Sequence, residues 1–349
     1  MNSSVLLVIV LSAGGHWWAD TSVNVQVAPV VESVNTRIAR YQWVLAIDGI
    51  TLATGESESA GDNLTTTITF DAPRVRVATP MLWVLQAYDA DGGMVAESRH
   101  AVHVYPVEQK QSIAPLIASA RLLVWESRAD SLLSDYLRGA GLEFKLVHDG
   151  ASVGRHTADL LIVGPDAVSS ADAAQVHLAA ITKSGTNTLV LYQPRAESLA
   201  GFQLRPRRIT PASLVYLQRS SAAQTITLYH PMPIEDHTPL PVHSLLIRSE
   251  ASIDTTPMAW ITADTQLTGS ANTAGLAASG TTDSLLLQSQ IGRGRIILCQ
   301  QPIGDPATDA RAGLFLVRAI DELIAPISGR SIDNQLTNKT NATMKAGAE

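Results

Sequence analysis

The stretch RLLVWESRADSLLSDYLRGAGLEFKLV, from Arg121 to Val147, decides the fold of the second half of the chain. It opens with the apolar run RLLVWES and closes with the apolar run LEFKLV. Between these runs, apolar residues recur at the spacing of a helix face, and Gly139 or Gly141 can end that helix. The residues that mark the face are Leu132, Leu133, Tyr136 and Leu137. The stretch therefore predicts a strand, a helix and a second strand.

The same alternation continues downstream. The run ADLLIVG is nearly all apolar, as a central strand of a parallel sheet should be. A helix is predicted over SSADAAQVHLAAITKSG, with Ser169 or Ser170 as its N-cap and Gly185 at its end. NTLVLYQ is a further strand, and DARAGLFLVRAIDELI is a final helix. Strands that alternate with helices in this way predict a doubly wound parallel α/β sheet.

The residues upstream predict a different architecture. Residues 21–106 contain short runs with period-two alternation, and turn signals such as Asp48-Gly49 and Gly92-Gly93 separate them. One of these runs, RVRVATPMLWVLQAYD, predicts a single strand that begins at Arg74. Trp43 and Trp83 fall at positions that suit a sandwich core. Short strands with regular turns indicate a two-sheet sandwich of immunoglobulin type. The chain thus reads as a multidomain protein in which an all-β sandwich precedes an α/β domain, and residues 107–118 are predicted to be a linker.

The α/β domain is predicted over residues 119–326 and carries an insertion at about 194–284. This insertion contains a few antiparallel strands, such as SLVYLQ and TITLYH. SLLLQSQIGRGRIILCQ follows as a hairpin, and Gly292-Arg293-Gly294 supplies its turn. The polar, small residues 327–349 are predicted to be a disordered tail.

Residues 1–20 are an apolar N-terminal segment with two interpretations. Its apolar run has the length of a signal-peptide core, although no Lys or Arg precedes it, and the alternative is the first strand of the sandwich. The protein would be secreted or periplasmic with a signal peptide, and cytoplasmic without one. No other stretch is long enough for a transmembrane helix.

The amino-acid composition limits the kinds of molecule and metal that this protein is expected to bind. The chain has 349 residues, a formal net charge of -7 and only 16% charged residues, so no broad basic face is expected and nucleic acid is an unsuitable partner. A single cysteine excludes an internal disulfide and a multi-cysteine metal site. One proline-rich stretch holds other metal-ligating residue types, but their spacing fits no compact motif. They are His230, Glu235, Asp236, His237 and His243. No metal or cofactor is expected.

Cys299 is either a catalytic nucleophile or a small apolar residue of a buried strand. A nucleophile of this kind lies on a sharp turn between a strand and a helix, whereas Cys299 lies near the end of a hairpin strand with apolar neighbours. Pro165 and Asp166 follow Gly164 at the strand end where such an elbow would be expected, so a nucleophile does not occupy that position. The structural interpretation of Cys299 is favoured.

Three acidic residues are candidates for ligand binding. Glu126 and Asp130 lie at the mouth of the first α/β strand, and Asp166 follows a neighbouring strand, which is a normal place for a ligand. A solvated acid at a strand end explains Glu126 equally well. Four tryptophans could also stack on sugar rings, although the last two fit core positions better. They are Trp17, Trp18, Trp43 and Trp83.

Five phrases of the sequence carry a resemblance to a known family. They are HWWADTSVNVQV, RYQWVLAIDGITLATGE, ADLLIVGPDAV, TLVLYQPRAESLAGFQLRPRRI and SLLLQSQIGRGRIILCQQPIGDPATDARAG. Together they resemble the C-terminal region of family-two-like glycoside hydrolases, the β-galactosidase relatives. The resemblance covers residues 15–326 and implies an immunoglobulin-like sandwich followed by a flavodoxin-like, class I glutamine-amidotransferase-like domain. It transfers no catalytic residue, because that family carries its glutamates on an upstream barrel of about 250 residues.

The leading hypothesis is therefore a non-catalytic accessory or scaffold region of a glycoside hydrolase. Its expected partner is the catalytic domain or subunit of such an enzyme, with a carbohydrate as a second candidate partner. Two alternatives stay open. One is an independent carbohydrate-active hydrolase that uses the strand-end cleft near Glu126, and the other is a secreted sugar-binding protein that uses exposed tryptophans.

Overall fold

The computed structural model describes most of the chain in ten ranges. They are residues 5–31, 37–60, 65–127, 132–168, 172–207, 214–217, 244–250, 255–262, 281–300 and 302–324.

The first part is a β-sandwich of two sheets. One sheet has the order β1 (Val5–Leu11), β3 (Ser22–Val31), β6 (Thr66–Asp71), and all its strands are antiparallel. The facing sheet contains β2 (His16–Trp18), β4 (Ile38–Ile47), β5 (Ile50–Glu58), β7 (Thr79–Asp89) and β8 (Met94–Tyr105). Its order is β2–β8–β7–β4–β5, with β2 parallel to β8 and the other pairs antiparallel.

Aromatic side chains fill the space between the two sheets. Trp43 and Trp83 point inward from neighbouring strands and are buried, as the period-two pattern predicts. Phe70, from β6 of the three-stranded sheet, stacks on Trp43 with ring centroids 4.5 Å apart and meets Trp17 edge-on at 5.5 Å. The run that begins at Arg74 was predicted to be strand throughout, but pairing starts only at Thr79.

The stretch predicted as a linker contains two short helices. It forms α1 (Val107–Gln111) and α2 (Ile113–Ile117). Ile113 and Ile117 are one helical turn apart, and both are buried in the core of the following region. The connection between the sandwich and the following region is therefore packed against the core of that region.

The second part, called here the parallel-sheet region, contains the remaining elements. Its helices are α3 (Leu132–Gly139), α4 (Gly150–Val153), α5 (Asp172–Ser184) and α6 (Ala310–Ile324). Its strands are β9 (Leu122–Trp125), β10 (Lys145–Val147), β11 (Leu160–Val163), β12 (Asn187–Val190), β13 (Ser198–Leu199), β14 (Phe202–Arg207), β15 (Leu214–Leu217), β16 (Ser244–Glu250), β17 (Thr255–Thr262), β18 (Thr281–Ile291) and β19 (Gly294–Cys299).

Parallel strands form one half of this sheet and antiparallel strands the other. The parallel order is β10–β9–β11–β12–β19, and the sheet then continues antiparallel through β18, β16, β14 and β13, with β17 joining β18 to β15. Apolar side chains pack on both faces: α2, α3 and α6 contribute to one cluster, and α4 and α5 to the other. The predicted strands and helices of this run are present, and α4 is an additional short helix that the sequence pattern did not predict.

The hairpin prediction is also confirmed. Strands β18 and β19 pair antiparallel, and Gly292 takes a φ of +60° in the turn. Cys299 is fully buried at the end of β19. The predicted strand SLVYLQ corresponds to β15, whereas TITLYH lies outside the described residues. None of the described helices combines the length and the apolar character that a membrane span requires.

The sandwich and the parallel-sheet region meet at a small apolar cluster, called here the joint. It consists of Trp18, Tyr105, Ala310 and Leu314. Trp18 is fully buried and donates a hydrogen bond from Nε1 to the carbonyl oxygen of Pro306 at 3.1 Å. An ideal Cβ on Gly313 would lie 2.5 Å from the Trp18 ring, so the glycine allows α6 to approach the indole.

Candidate functional site

The carboxyl ends of β9 and β11 are where a ligand would be expected in this sheet. The strand order reverses direction between these two strands, because β10 follows β9 on one side while β11 and β12 continue on the other. Open α/β sheets bind ligands in the crevice at such a switch point. Glu126 comes directly after β9, and Gly164 directly after β11.

Glu126 is buried beneath this edge. Its side chain is only 2% exposed, and its Oε2 accepts a hydrogen bond from the Ser134 hydroxyl of α3. Its backbone N–H donates to the carbonyl of Val147 at 3.0 Å, and its own carbonyl lies 2.9 Å from Nδ1 of His148. These contacts hold Glu126 inside the fold, where it supports the loops after β9 and β10. The alternative of a solvated acid is wrong.

Gly164 makes room for this glutamate. An ideal Cβ at residue 164 would lie 2.8 Å from Cγ and 3.2 Å from Oε1 of Glu126, and 3.3 Å from the carbonyl oxygen of Trp125. The end of β11, where a nucleophile elbow would lie, therefore carries a glycine, and the missing side chain of Gly164 leaves room for the buried Glu126.

We expect Gly164→Ala to lower the free energy of unfolding by about 1–2 kcal/mol, because the added methyl group overlaps the Glu126 side chain. Urea unfolding followed by circular dichroism measures this change. The matched control is the same substitution in a Glu126→Ala background, where the clash with Cγ is gone and the loss should shrink. Equal losses in both backgrounds would contradict the proposed contact.

Asp166 lies nearer to solvent and is paired. It takes a left-handed φ of +55°, and its Oδ1 accepts a hydrogen bond from Nε of Arg195 at 2.6 Å. Arg195 also donates to the backbone carbonyl of Asp166 at 3.0 Å, and Ser127 donates to the same oxygen at 3.3 Å. The ion pair is half-exposed and closes the turn after β11. Asp130, the third predicted site residue, lies outside the described residues.

Two buried glutamines at the same edge had no role in the sequence analysis. Gln193 follows β12 and accepts from the backbone N–H of Val168 at 2.8 Å, while its Nε2 donates to Gly164 and Leu191 carbonyls at 2.7 Å each. Gln300 follows β19 and accepts from the N–H of Gln193 at 3.2 Å. Both amides satisfy backbone groups where the strands end. The sequence signal was a glutamine at the end of each apolar run.

Cys299 and four tryptophans were the other candidates for chemistry or for sugar stacking. Cys299 lies in the β19 strand among apolar side chains, so it is not presented on a turn as a nucleophile requires. The four tryptophans proposed to stack on sugars are 0–7% exposed, so that expectation is wrong for these four rings. Among the described residues, no group of three or more acidic, histidine or cysteine side chains could hold a metal ion. The stretch from His230 to His243 lies outside them.

Comparison with known proteins gives no family. No family model and no curated protein matches the chain. Among solved structures, the sporulation control protein Spo0M of Bacillus subtilis is 10% identical with a TM-score of 0.26, and the match covers 33% of this chain and 55% of Spo0M.

Two other solved structures are similarly distant. A superoxide reductase of Ignicoccus hospitalis is 14% identical with a TM-score of 0.20, over 29% of this chain and 80% of that one. The fibronectin(III)-like modules of Clostridium thermocellum CbhA are 14% identical with a TM-score of 0.22, over 30% and 49%. Likenesses of this size assign neither a fold nor a function to this chain.

Proposed function

We propose that this chain is a non-catalytic accessory module of a glycoside hydrolase, with a scaffold or docking role. The observation that carries the proposal is the burial of Glu126, the acid nearest the switch point, against Ser134. Glycoside cleavage needs two carboxyl groups that face each other across a sugar. Glu126 is enclosed by protein and Asp166 is paired with Arg195, so neither is available for this work.

The proposal also assigns the sandwich and the parallel-sheet region each to a specific fold class. The sandwich is assigned to the immunoglobulin-like class on the basis of its two facing sheets and aromatic core. The parallel-sheet region is assigned to the flavodoxin-like, amidotransferase-like class. In order of appearance along the chain, its parallel strands lie 2-1-3-4-5 across the sheet, which is the flavodoxin arrangement. The partner in this proposal is the catalytic domain or subunit of a glycoside hydrolase, with a carbohydrate as the second candidate.

A turnover assay tests the absence of catalysis. We expect the purified chain and its Glu126→Gln variant to release no chromophore from a nitrophenyl galactoside above the rate of buffer alone. The matched control is Asp135→Asn, which alters an exposed carboxylate on the same helix as Ser134. Turnover by the wild type that persists in Asp135→Asn and disappears in Glu126→Gln would replace this proposal with the hydrolase alternative.

A further inference from the structure

Two histidines lie at the edge of the joint. His16 of β2 and His103 of β8 are register partners, and their rings stack with centroids 5.0 Å apart and planes 4° from parallel. Nδ1 of His16 lies 3.1 Å from the hydroxyl of Tyr105, a member of the joint. This pair therefore belongs to the surface through which the sandwich meets α6.

A fixed cation lies beside the pair. Arg311, in the first turn of α6, has a side chain only 11% exposed. Its guanidinium packs against the turn before β2, since a Cβ on Gly14 would lie 2.7 Å from one of its terminal nitrogens. Asp309 accepts from this group at 3.0 and 3.1 Å, and the buried ion pair stays in place next to the histidines.

These surroundings favour an uncharged His16. Burial, then the charge of Arg311, then His103 lower the pKa of His16 from 6.5 to about 3. Burial also lowers the pKa of His103. Burial raises the pKa of Tyr105 to about 12 despite Arg311 and Arg318 nearby, so its hydroxyl stays neutral. A protonated His16 would therefore add a positive charge next to a guanidinium that is already held at the joint.

We propose that the joint is an acid-sensitive coupling between the two parts of the chain. When His16 takes up a proton, α6 separates from β2 and β8 while the sandwich and the parallel-sheet region each stay folded. The joint yields first because its apolar cluster has only four members, whereas each part has a much larger core of its own. A proton on the half-buried His16 adds a positive charge beside the Arg311–Asp309 ion pair, and this cost weakens the closed joint.

Proton linkage sets the direction in which pH shifts the equilibrium between the closed and the separated joint. Below pH 6.5 the separated state holds a proton on His16 that the closed joint excludes, so acid favours separation. The equilibrium constant for separation should rise about tenfold for each pH unit between 6.5 and 3, or about 100-fold by pH 4.5. Asp309 acts in the opposite direction, because burial raises its pKa and its proton uptake favours the closed joint. The effect of His16 must therefore be isolated by substitution.

Small-angle X-ray scattering of the full chain from pH 7.5 to 4.5 tests the proposal, with far-UV circular dichroism on the same samples. The wild type should gain radius of gyration at low pH with unchanged secondary structure. His16→Gln should stay compact to lower pH, and the matched control His156→Gln, on a loop of the parallel-sheet region, should follow the wild type. A wild-type radius that stays constant to pH 4.5, or an identical transition in His16→Gln, would overturn the proposal.

A second measurement serves if His16→Gln does not fold. Proton NMR of the wild-type imidazoles follows each histidine through the same pH range. The His16 resonance should stay in its neutral position until the radius of gyration increases and then change with it. Titration of His16 near pH 6.5 in a compact molecule would overturn the proposal as well.

Discussion

Replacing Trp18 with alanine should lower the free energy of unfolding by about 3–5 kcal/mol, the range for a buried tryptophan. The indole is fully buried and meets Tyr105 edge-on at 6.5 Å. Its loss leaves a cavity beside Gly313 and removes the donor to the Pro306 carbonyl. Urea unfolding should also separate into two transitions, one for each part of the chain, because the joint would no longer couple them.

Two variants control this experiment. Trp18→Phe keeps most of the apolar volume but loses the hydrogen bond to Pro306, so it should cost about 1–3 kcal/mol. Ile50→Ala removes an apolar side chain that is 65% exposed, and the change should stay within about 0.5 kcal/mol. If Trp18→Ala cost less than 1 kcal/mol and unfolded in one transition, the described joint would be wrong.

Gly294→Ala should destabilise the parallel-sheet region by about 3 kcal/mol, at the upper end of what overpacking costs. A Cβ at this first residue of β19 would overlap the carbonyl oxygen of Thr182 and lie 2.5 Å from that of Thr186. Both atoms belong to the backbone around the end of α5, so neither can rotate away as a side chain would. The sheet must move off the helix to admit the methyl group.

The matched control is Gly139→Ala, at the end of α3. No atom lies within 4 Å of the position that its Cβ would take, so this change should stabilise the chain by about 0.5–1 kcal/mol through helix propensity. Thermal unfolding followed by circular dichroism compares the two variants. Equal midpoints would contradict the close approach of β19 to α5.

Local periodicity was enough to predict most elements of the fold. The apolar residues of α3 recur at helical spacing over a full eight residues, and β9 and β11 are apolar at every position, so both patterns are unambiguous. The five-residue α2 was missed because it is little more than one turn long, so Ile113, Leu116 and Ile117 are too few to establish a helical period. The beginning of β7 was placed too early because the alternating residues from Arg74 onward imitate a strand.

The candidate site was predicted less well, because its properties depend on contacts between distant parts of the chain. Sequence placed Glu126 correctly at a strand end, but its burial depends on Ser134 and on the absence of a side chain at Gly164. The amide network of Gln193 likewise reaches a residue 107 positions away. Such contacts leave no periodic pattern in the sequence, because they form only when all the strands of the sheet are assembled.

The neighbourhood of β12 and β19 has a consequence for how the protein folds. These parallel partners, linked by Arg295 and Asn187, are 108 residues apart along the chain, and β13 to β18 are made between them. During synthesis at about 5–20 residues per second, the apolar edge of β12 stays unpaired for about 5–20 seconds before β19 is made. Closure of so long a loop is also slow in a refolding chain. The nascent parallel-sheet region is therefore the part of this protein most exposed to aggregation.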